Sequence, residues 1–206
     1  MRMDNQQLYG LSNEQLQVFL TSQLGDGSIV TSNTNSTYYV TNCIHKEYID
    51  FKSTLLGNLS RNVSYREHNG FCQTPIWILR SCSLKVLESI RSLTLLTLLD
   101  EIDELGVALW FYDDGSLHKT KHFYNLNTQK FPKEIQETIL IPFFERFGIY
   151  PVLTIERKKD GRTFWYLRIG VRNGADKVTA ILEKYPLDCF KYKRWSSETI
   201  LKRSRA

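Results

Sequence analysis

The stretch Val107-Ala108-Leu109-Trp110-Phe111-Tyr112-Asp113-Asp114-Gly115 decides how this chain is read. It runs from apolar residues into two carboxylates and a glycine, the pattern of a buried helix that stops on an acidic turn. A second stretch, Phe19-Leu20-Thr21-Ser22-Gln23-Leu24-Gly25-Asp26-Gly27, ends the same way. Asp26 and Asp114 lie 88 positions apart, and so do Trp77-Ile78-Leu79-Arg80 and Trp165-Tyr166-Leu167-Arg168, both Trp-x-Leu-Arg. A turn dipeptide precedes each, Asn69-Gly70 or Asp160-Gly161, and a Lys-Val helix start follows each, Lys85-Val86 or Lys177-Val178. Several features in one phase make the chain a fused, diverged duplication.

Working outward, each half reads helix, hairpin, helix, hairpin, helix, an α+β arrangement of two pseudo-symmetric αββαββα units with antiparallel sheets. Ser12 and Gln15 form a capping box for a helix carrying Leu16, Phe19, Leu20 and Leu24 and expected to stop at Gly25. Strands are expected over 28–34, 37–44, 62–67 and 72–80, with a helix through Tyr48, Phe51 and Leu55 and another over 83–92. In the second half, helices are expected over 101–113, 132–147 and 175–184, and strands near 116–128, 150–158 and 163–170. Pro132 suits the start of its helix and Gly148 the end. No Pro- or Gly-rich linker separates residues 1–98 from 99–206, so the halves are expected to form one compact pseudo-dimeric body.

Composition narrows the class. The chain has 206 residues, a net charge of +5 and 13% aromatics. Cys43, Cys72, Cys82 and Cys189 form no Cys-x-x-Cys pair, which excludes a zinc ribbon or finger. There is no signal peptide and no apolar run of membrane-spanning length, so a membrane partner is excluded and an intracellular location is expected. Organelle matrix, bacterial cytoplasm and phage-infected cytoplasm are not distinguished. Small residues at Thr21, Ser22, Gly25, Gly106 and Ala108 let the two motif helices approach each other closely. Two carboxylates brought together there repel unless a cation sits between them. A hard divalent ion held by few carboxylates and by substrate phosphates is typical of Mg2+, and Mn2+ or Ca2+ suits the same oxygen donors. An acidic centre in a basic chain suits an enzyme that cuts nucleic acid.

The two quoted stretches resemble the paired motifs of the single-chain, monomeric LAGLIDADG homing endonucleases. The second is the more specific, its Ala-Leu-Trp-Phe-Tyr-Asp-Asp-Gly being close to the Trp-Phe-Met-Asp-Asp-Gly form; the first keeps only Gly-Asp-Gly and the small and apolar pattern. Leu126-Asn127-Thr128-Gln129, Tyr192-Lys193 and Ser196-Ser197-Glu198-Thr199 match further, so the resemblance covers about residues 14–202. It implies a saddle of two units over a long double-stranded DNA target. It also implies Mg2+-dependent phosphodiester hydrolysis, with specificity read by hairpins.

Carried over residue by residue, the resemblance makes Asp26 and Asp114 the catalytic, metal-holding acids. The metals are also touched by Gly25 and Asp113 through their carbonyls. Gln129 positions water and Lys193 is the basic residue beside one metal. Arg91 stands at the matching place in the first half, and Thr41, with Asn42 beside it, is the offset partner of Gln129. Arginine stays protonated where lysine can exchange a proton, so the two centres are expected to be unequal. The DNA-contacting set is Arg61, Tyr65, Arg66, His68, Gln73 and Arg80 in the first half. In the second it is Arg157, Lys158, Lys159, Arg162, Tyr166 and Arg168. Trp77 and Trp165 are read as core, and the four histidines as surface or groove residues. The same scaffold also serves intron RNA-splicing maturases, whose partner is intron RNA, and DNA-binding proteins with a residual motif. Survival of both acids favours the nuclease.

Overall fold

The computed structural model describes residues 9–67, 74–118 and 123–195. The first half contains α1 (Asn13–Thr21), β1 (Ser28–Thr31), β2 (Thr37–Cys43), α2 (Lys46–Leu56), β3 (Ser60–Arg66), β4 (Ile76–Ser81) and α3 (Val86–Arg91). After α4 (Leu95–Asp100) the same series repeats: α5 (Glu104–Asp114), β5 (Gly115–His118), β6 (Phe123–Leu126), α6 over residues 133–145, β7 (Val152–Arg157), β8 (Thr163–Gly170) and α7 (Ala175–Lys184). Each half holds one four-stranded antiparallel sheet, ordered β1-β2-β4-β3 and β5-β6-β8-β7. This is the expected pair of αββαββα units, with identical strand order in both. The expected Asn69-Gly70 turn, His68, Gln73, His122 and the motif Ser196–Thr199 lie outside the described residues.

Strand alternation gives each sheet one buried face. In the first, Tyr39, Thr41 and Leu79 are buried on the helix-covered face, with Phe19, Ile49, Leu56, Leu87 and Ile90 supplied by the helices. In the second, Tyr124, Leu126, Leu167 and Ile169 take the same places, with Trp110, Phe111, Phe144, Val178 and Leu182. Trp77 and Trp165, expected in the core, are only half-buried. Lys46 lies 5.2 Å over Trp77 and Lys133 lies 5.2 Å over Trp165, so a lysine covers each indole at the sheet margin.

Several helices depart from the sequence reading. The capping box of Ser12 and Gln15 is present, but α1 ends at Thr21 rather than Gly25. Thr21 Oγ1 donates to the Gln17 carbonyl at 2.8 Å and Ser22 Oγ to that of Phe19 at 2.6 Å, competing with the main-chain ladder. The chain then continues in tighter turns, Gln23 N to Leu20 O and Leu24 N to Thr21 O. The second departure is α4. Residues 95–100 fall between the expected helices 83–92 and 101–113, yet they form a helix, which Thr94 Oγ1 caps by accepting from the Thr97 amide. The expected helix 101–113 therefore starts only at Glu104, behind its own cap, Asp103. Third, α6 carries a π turn over Gln136–Leu140. Pro142 stands just beyond it, after Ile141; it has no N–H and its ring crowds the carbonyl one turn back, so the ladder widens there. Gly148 ends the run with φ of 68°, the left-handed conformation a glycine takes easily.

The chain forms two compact units, one of residues 1–109 with Leu187–Cys189, the other of residues 110–186 and 190–206. The division falls inside α5 and not at the 98/99 boundary expected from the repeat. The reason is that residues 101–109 bond to the first helix, as described below. Among the described residues, no helix is long and apolar enough to cross a membrane.

The glycine of each Asp-Gly step is fixed by sterics. A Cβ on Gly27 would stand 2.7 Å from the Tyr39 ring and 2.9 Å from the Ser22 Cα; one on Gly115 would stand 2.5 Å from the Phe111 carbonyl oxygen and 2.7 Å from its ring. The strand leaves the helix end so closely that no side chain fits. Gly115→Ala is expected to lower unfolding free energy by about 1–3 kcal/mol in urea titrations, since backbone has to move to admit the methyl.

Candidate active site and nucleic-acid interface

The N-terminal turn of α5 is pinned to α1 within the first unit. Gln17, fully buried, donates Nε2 to the Glu101 carbonyl at 2.9 Å and accepts the Asp103 amide at 3.1 Å. Asp103 Oδ1 accepts the amides of Leu105 and Gly106, and Oδ2 accepts Asn13 Nδ2 at 2.7 Å. A side chain on Gly106 would collide with Gln17 Oε1. The expected close helix approach through small residues is thus made at Gly106, and it fixes the helix whose far end bears Asp113 and Asp114.

That far end is held on every side within the second unit. Tyr112 Oη lies 2.7 Å from the Tyr185 carbonyl and 3.1 Å from that of Leu182, and its ring stacks on Phe190 at 5.1 Å. Lys193, only 8% exposed, donates Nζ to the Tyr112 carbonyl at 2.6 Å and more weakly to that of Phe111 at 3.5 Å. Its ammonium therefore sits at the negative end of the helix, on carbonyls of the last turn, two residues before Asp114. The Asp114 carbonyl accepts the Asn127 amide at 3.1 Å, which ties the helix end to the chain following β6. Gln129 is exposed in the next turn. Asp113 and Asp114 are half-buried.

The corresponding place in the first unit is built differently. Gly25 N donates to the Thr21 carbonyl at 2.9 Å, and Asp26 follows, exposed. Gln23 reaches from the motif turn to the Ile90 carbonyl at 2.6 Å, anchoring it to α3. Arg91, at the end of α3, donates to Thr31 Oγ1 at 2.9 Å, at the far end of β1. It thus grips the hairpin, whereas Lys193 grips the motif turn itself. Thr41 is buried on the helix-covered face, so it is no counterpart of Gln129. Thr41 pairs with Leu79 as Leu126 pairs with Leu167, because the first hairpin is three residues longer; Gln129 then falls opposite Ile44, and Asn127 opposite Asn42.

The donor chemistry fits a hard cation. Both motif ends offer carboxylate and carbonyl oxygen, and among the described residues no group of three or more His, Cys, Asp or Glu side chains assembles. Such a site leaves coordination places for water and substrate oxygens, the usual manner of Mg2+.

The uncovered face of each sheet sorts the expected DNA contacts. On the first sheet it carries Tyr38, Val40, Asn42, Asn62, Ser64, Arg66, Ile78 and Arg80. Arg61 is the bulged residue of β3 and lines a 410 Å³ cleft with Arg80, Tyr38 and the hydroxyls of Ser32, Thr34 and Ser36. Tyr65 pairs with Trp77 on the opposite face and packs on its ring at 5.0 Å. On the second sheet the uncovered face carries Phe123, Asn125, Thr154, Phe164, Tyr166 and Arg168. Arg157 pairs with Thr163 on the covered side. At the hairpin tip, Lys158 is paired with Glu156 at 2.6 Å and Arg162 with Asp160 at 2.7 Å, and Lys159 is exposed.

A family model described as the LAGLIDADG DNA endonuclease family matches residues 16–176. The chain belongs to the LAGLIDADG DNA endonuclease family. Among solved structures it is similar to the homing endonuclease I-WcaI bound to its DNA recognition sequence, with a TM-score of 0.71 and 20% identity over 90% of this chain and 87% of the other. It is also similar to I-DmoI in complex with DNA and Mn, with a TM-score of 0.53 and 15% identity over 85% of this chain and all of the other. I-DmoI in complex with DNA and Ca matches at 0.51 and 15%, over 82% and 90%. No curated protein matches the chain. At these identities the structures speak for the shared two-unit fold.

Both LAGLIDADG stretches lie within the matched span, and Lys193 lies beyond it. Lys193→Met is expected to cost about 1–3 kcal/mol in urea unfolding, because it strands buried carbonyls at the LAGLIDADG helix end. The uncovered faces also carry Tyr38, Asn42, Phe123 and Asn125, which the sequence reading does not include in the DNA-contacting set. The signal was in the alternation: once Arg80 and Arg168 are placed outward, residues paired beside them face outward too.

Proposed function

We propose that this chain is a single-chain, site-specific double-stranded DNA homing endonuclease that hydrolyses one phosphodiester in each strand, with Mg2+ as the working ion. The observation that carries the reading is the pair of Asp-Gly steps closing the two motif segments of a LAGLIDADG family member. Relatives of the same fold are described bound to a DNA recognition sequence, and to DNA with Mn or Ca, which supports duplex DNA and a divalent ion here.

Asp26 and Asp114 would hold the ions, each in its own unit, with the carbonyls of Gly25 and Asp113 beside them. A bound ion supplies charge neutralisation of the phosphodiester and a more acidic water. Gln129, exposed in the turn after β6, orients the attacking water in the second unit. Lys193 keeps positive charge at the end of α5, where phosphate charge has to be met. Arg91 bonds to Thr31 and not to its motif turn. The first centre therefore works without an equivalent of Lys193, and the two centres differ in rate.

The test is direct. The protein and Mg2+ are incubated with duplex spanning the host locus without its insertion, identified from the genomic flank of the gene. One discrete double-strand cut is expected. Wild-type protein that leaves this DNA intact, or an Asp114→Asn protein that cuts it equally well, would end the proposal.

A further inference from the structure

We propose that Arg168 is a guanine-reading residue, held in place before DNA arrives by Phe123, Asn125 and Tyr166. This rests on the reading of the chain as a DNA-binding endonuclease and names one determinant of its specificity.

Arg168 stands on β8, an inner strand flanked by β6 and β7, on the uncovered face. Its guanidinium lies 4.2 Å over the Phe123 ring and 5.7 Å from that of Tyr166. Nε donates to Asn125 Oδ1 at 3.3 Å, and Nη2 donates to Tyr166 Oη at 2.6 Å. These contacts fix the plane of the group, and the side chain is half-buried as a result. They use the Nε proton and one proton of Nη2. Among the described residues nothing takes the two Nη1 protons or the second Nη2 proton, and one from each terminal nitrogen makes the end-on fork. Guanine offers O6 and N7 as two adjacent acceptors in the major groove, the geometry that a planar fork meets bidentately.

A phosphate contact asks for less. It is made from any direction and suits flexible side chains at a rim, such as exposed Lys159 at the hairpin tip. Fixing an arginine in the middle of a sheet by stacking and two acceptors is useful for a directional partner.

The first unit gives an internal contrast. Arg80 occupies the place of Arg168 in the repeat, and Tyr38 lies beneath it at 5.9 Å, as Phe123 lies beneath Arg168. The residue paired with Arg80 on the neighbouring strand is Val40, where Arg168 has Asn125. On its other side Arg80 is paired with Asn62, but among the described residues no hydrogen bond joins the two, and Arg80 is exposed and opens onto the 410 Å³ cleft. It discriminates less sharply than Arg168.

The test is binding to a pool of random-sequence duplexes in Ca2+, with the bound DNA sequenced, for wild type, Arg168→Lys and Arg168→Gln. Thermal melts establish that each protein is folded. Wild type is expected to prefer guanine by about tenfold to a hundredfold at one position that depends on residue 168. Arg168→Lys keeps the charge and flattens that preference while leaving other positions unchanged. Arg168→Gln moves it to adenine, whose N6 and N7 a carboxamide meets. Lysine retaining the full guanine preference, or both variants weakening all sequences evenly, overturns the assignment and leaves the endonuclease reading standing. A wild-type protein that enriches no sequence overturns both.

Discussion

Asp114→Asn and Asp26→Asn proteins are each expected to lose double-strand cleavage by about a thousandfold or more, leaving nicked circles as the residual product from plasmid carrying the target. Asparagine keeps the size and one acceptor oxygen of aspartate but not its charge. A cation bound through few protein ligands depends on that charge, and its loss removes several kcal/mol of transition-state stabilisation. At about 1.4 kcal/mol per decade, that is three orders of magnitude. The fold should survive: Asp26 is exposed and Asp114 half-buried, and their amide counterparts are isosteric. Gel analysis against a wild-type melting curve separates the two effects. Residual nicking should be greater in Asp26→Asn, which keeps the centre served by Lys193 and Gln129. Equal cutting by either variant and wild type removes that acid from the chemistry.

Trp110→Ala is expected to be the most damaging change to stability, at about 3–5 kcal/mol, from a total that for a protein of this size is on the order of 5–15 kcal/mol. Trp110 is fully buried, stacks on Phe144 at 5.4 Å and meets Phe143 at 6.3 Å. Truncation opens a cavity that two large rings cannot collapse into. The melting temperature should fall by ~10 °C. Trp110→Phe should cost much less. It keeps a ring against Phe144 and deletes an indole N–H that is buried without a hydrogen-bond partner among the described residues. A Phe variant as unstable as the Ala variant would show that shape fit, not buried aromatic area, holds this helix.

The fold was legible where local chemistry and the repeat agreed. Strand pattern, the Trp-x-Leu-Arg phase and the glycine after each acid all pointed to the same duplicated unit, and the strand order is identical in both halves. What escaped was set by single side chains acting out of phase. Ser22 and Thr21 shortened α1 by bonding backward, Thr94 started a helix in an apparent connection, and Pro142 widened α6. Motif resemblance singled out Asp26, Asp114 and Lys193 as site candidates, and in the structure Lys193 lies on the Tyr112 carbonyl next to Asp113. It put the partner of Gln129 at Thr41, because a constant offset fails once one hairpin is three residues longer; Arg91, named for its matching place, bonds to Thr31. The interface list was sorted by something composition does not carry, namely which side of the sheet a residue faces. Tyr65 and Arg157 lie on the helix-covered side although both are exposed, and Asn125 and Tyr38 lie on the uncovered side.

The three residues Leu187–Cys189 belong to the first unit although they are distant from it in sequence. Glu47 accepts the amides of Asp188 and Cys189, each at 2.8 Å, across 141 and 142 positions. Those bonds hold the Glu47 carboxyl below its ordinary range. Its contribution is therefore present above that ordinary value and fades as acid protonates the carboxylate. A chain made from its N-terminus can build the first sheet and its helices early, yet the clasp that finishes them is made only after the whole second sheet. The first unit is thus fastened only after the second sheet has been made, and the clasp loosens only in acid strong enough to protonate a carboxyl held below its ordinary range.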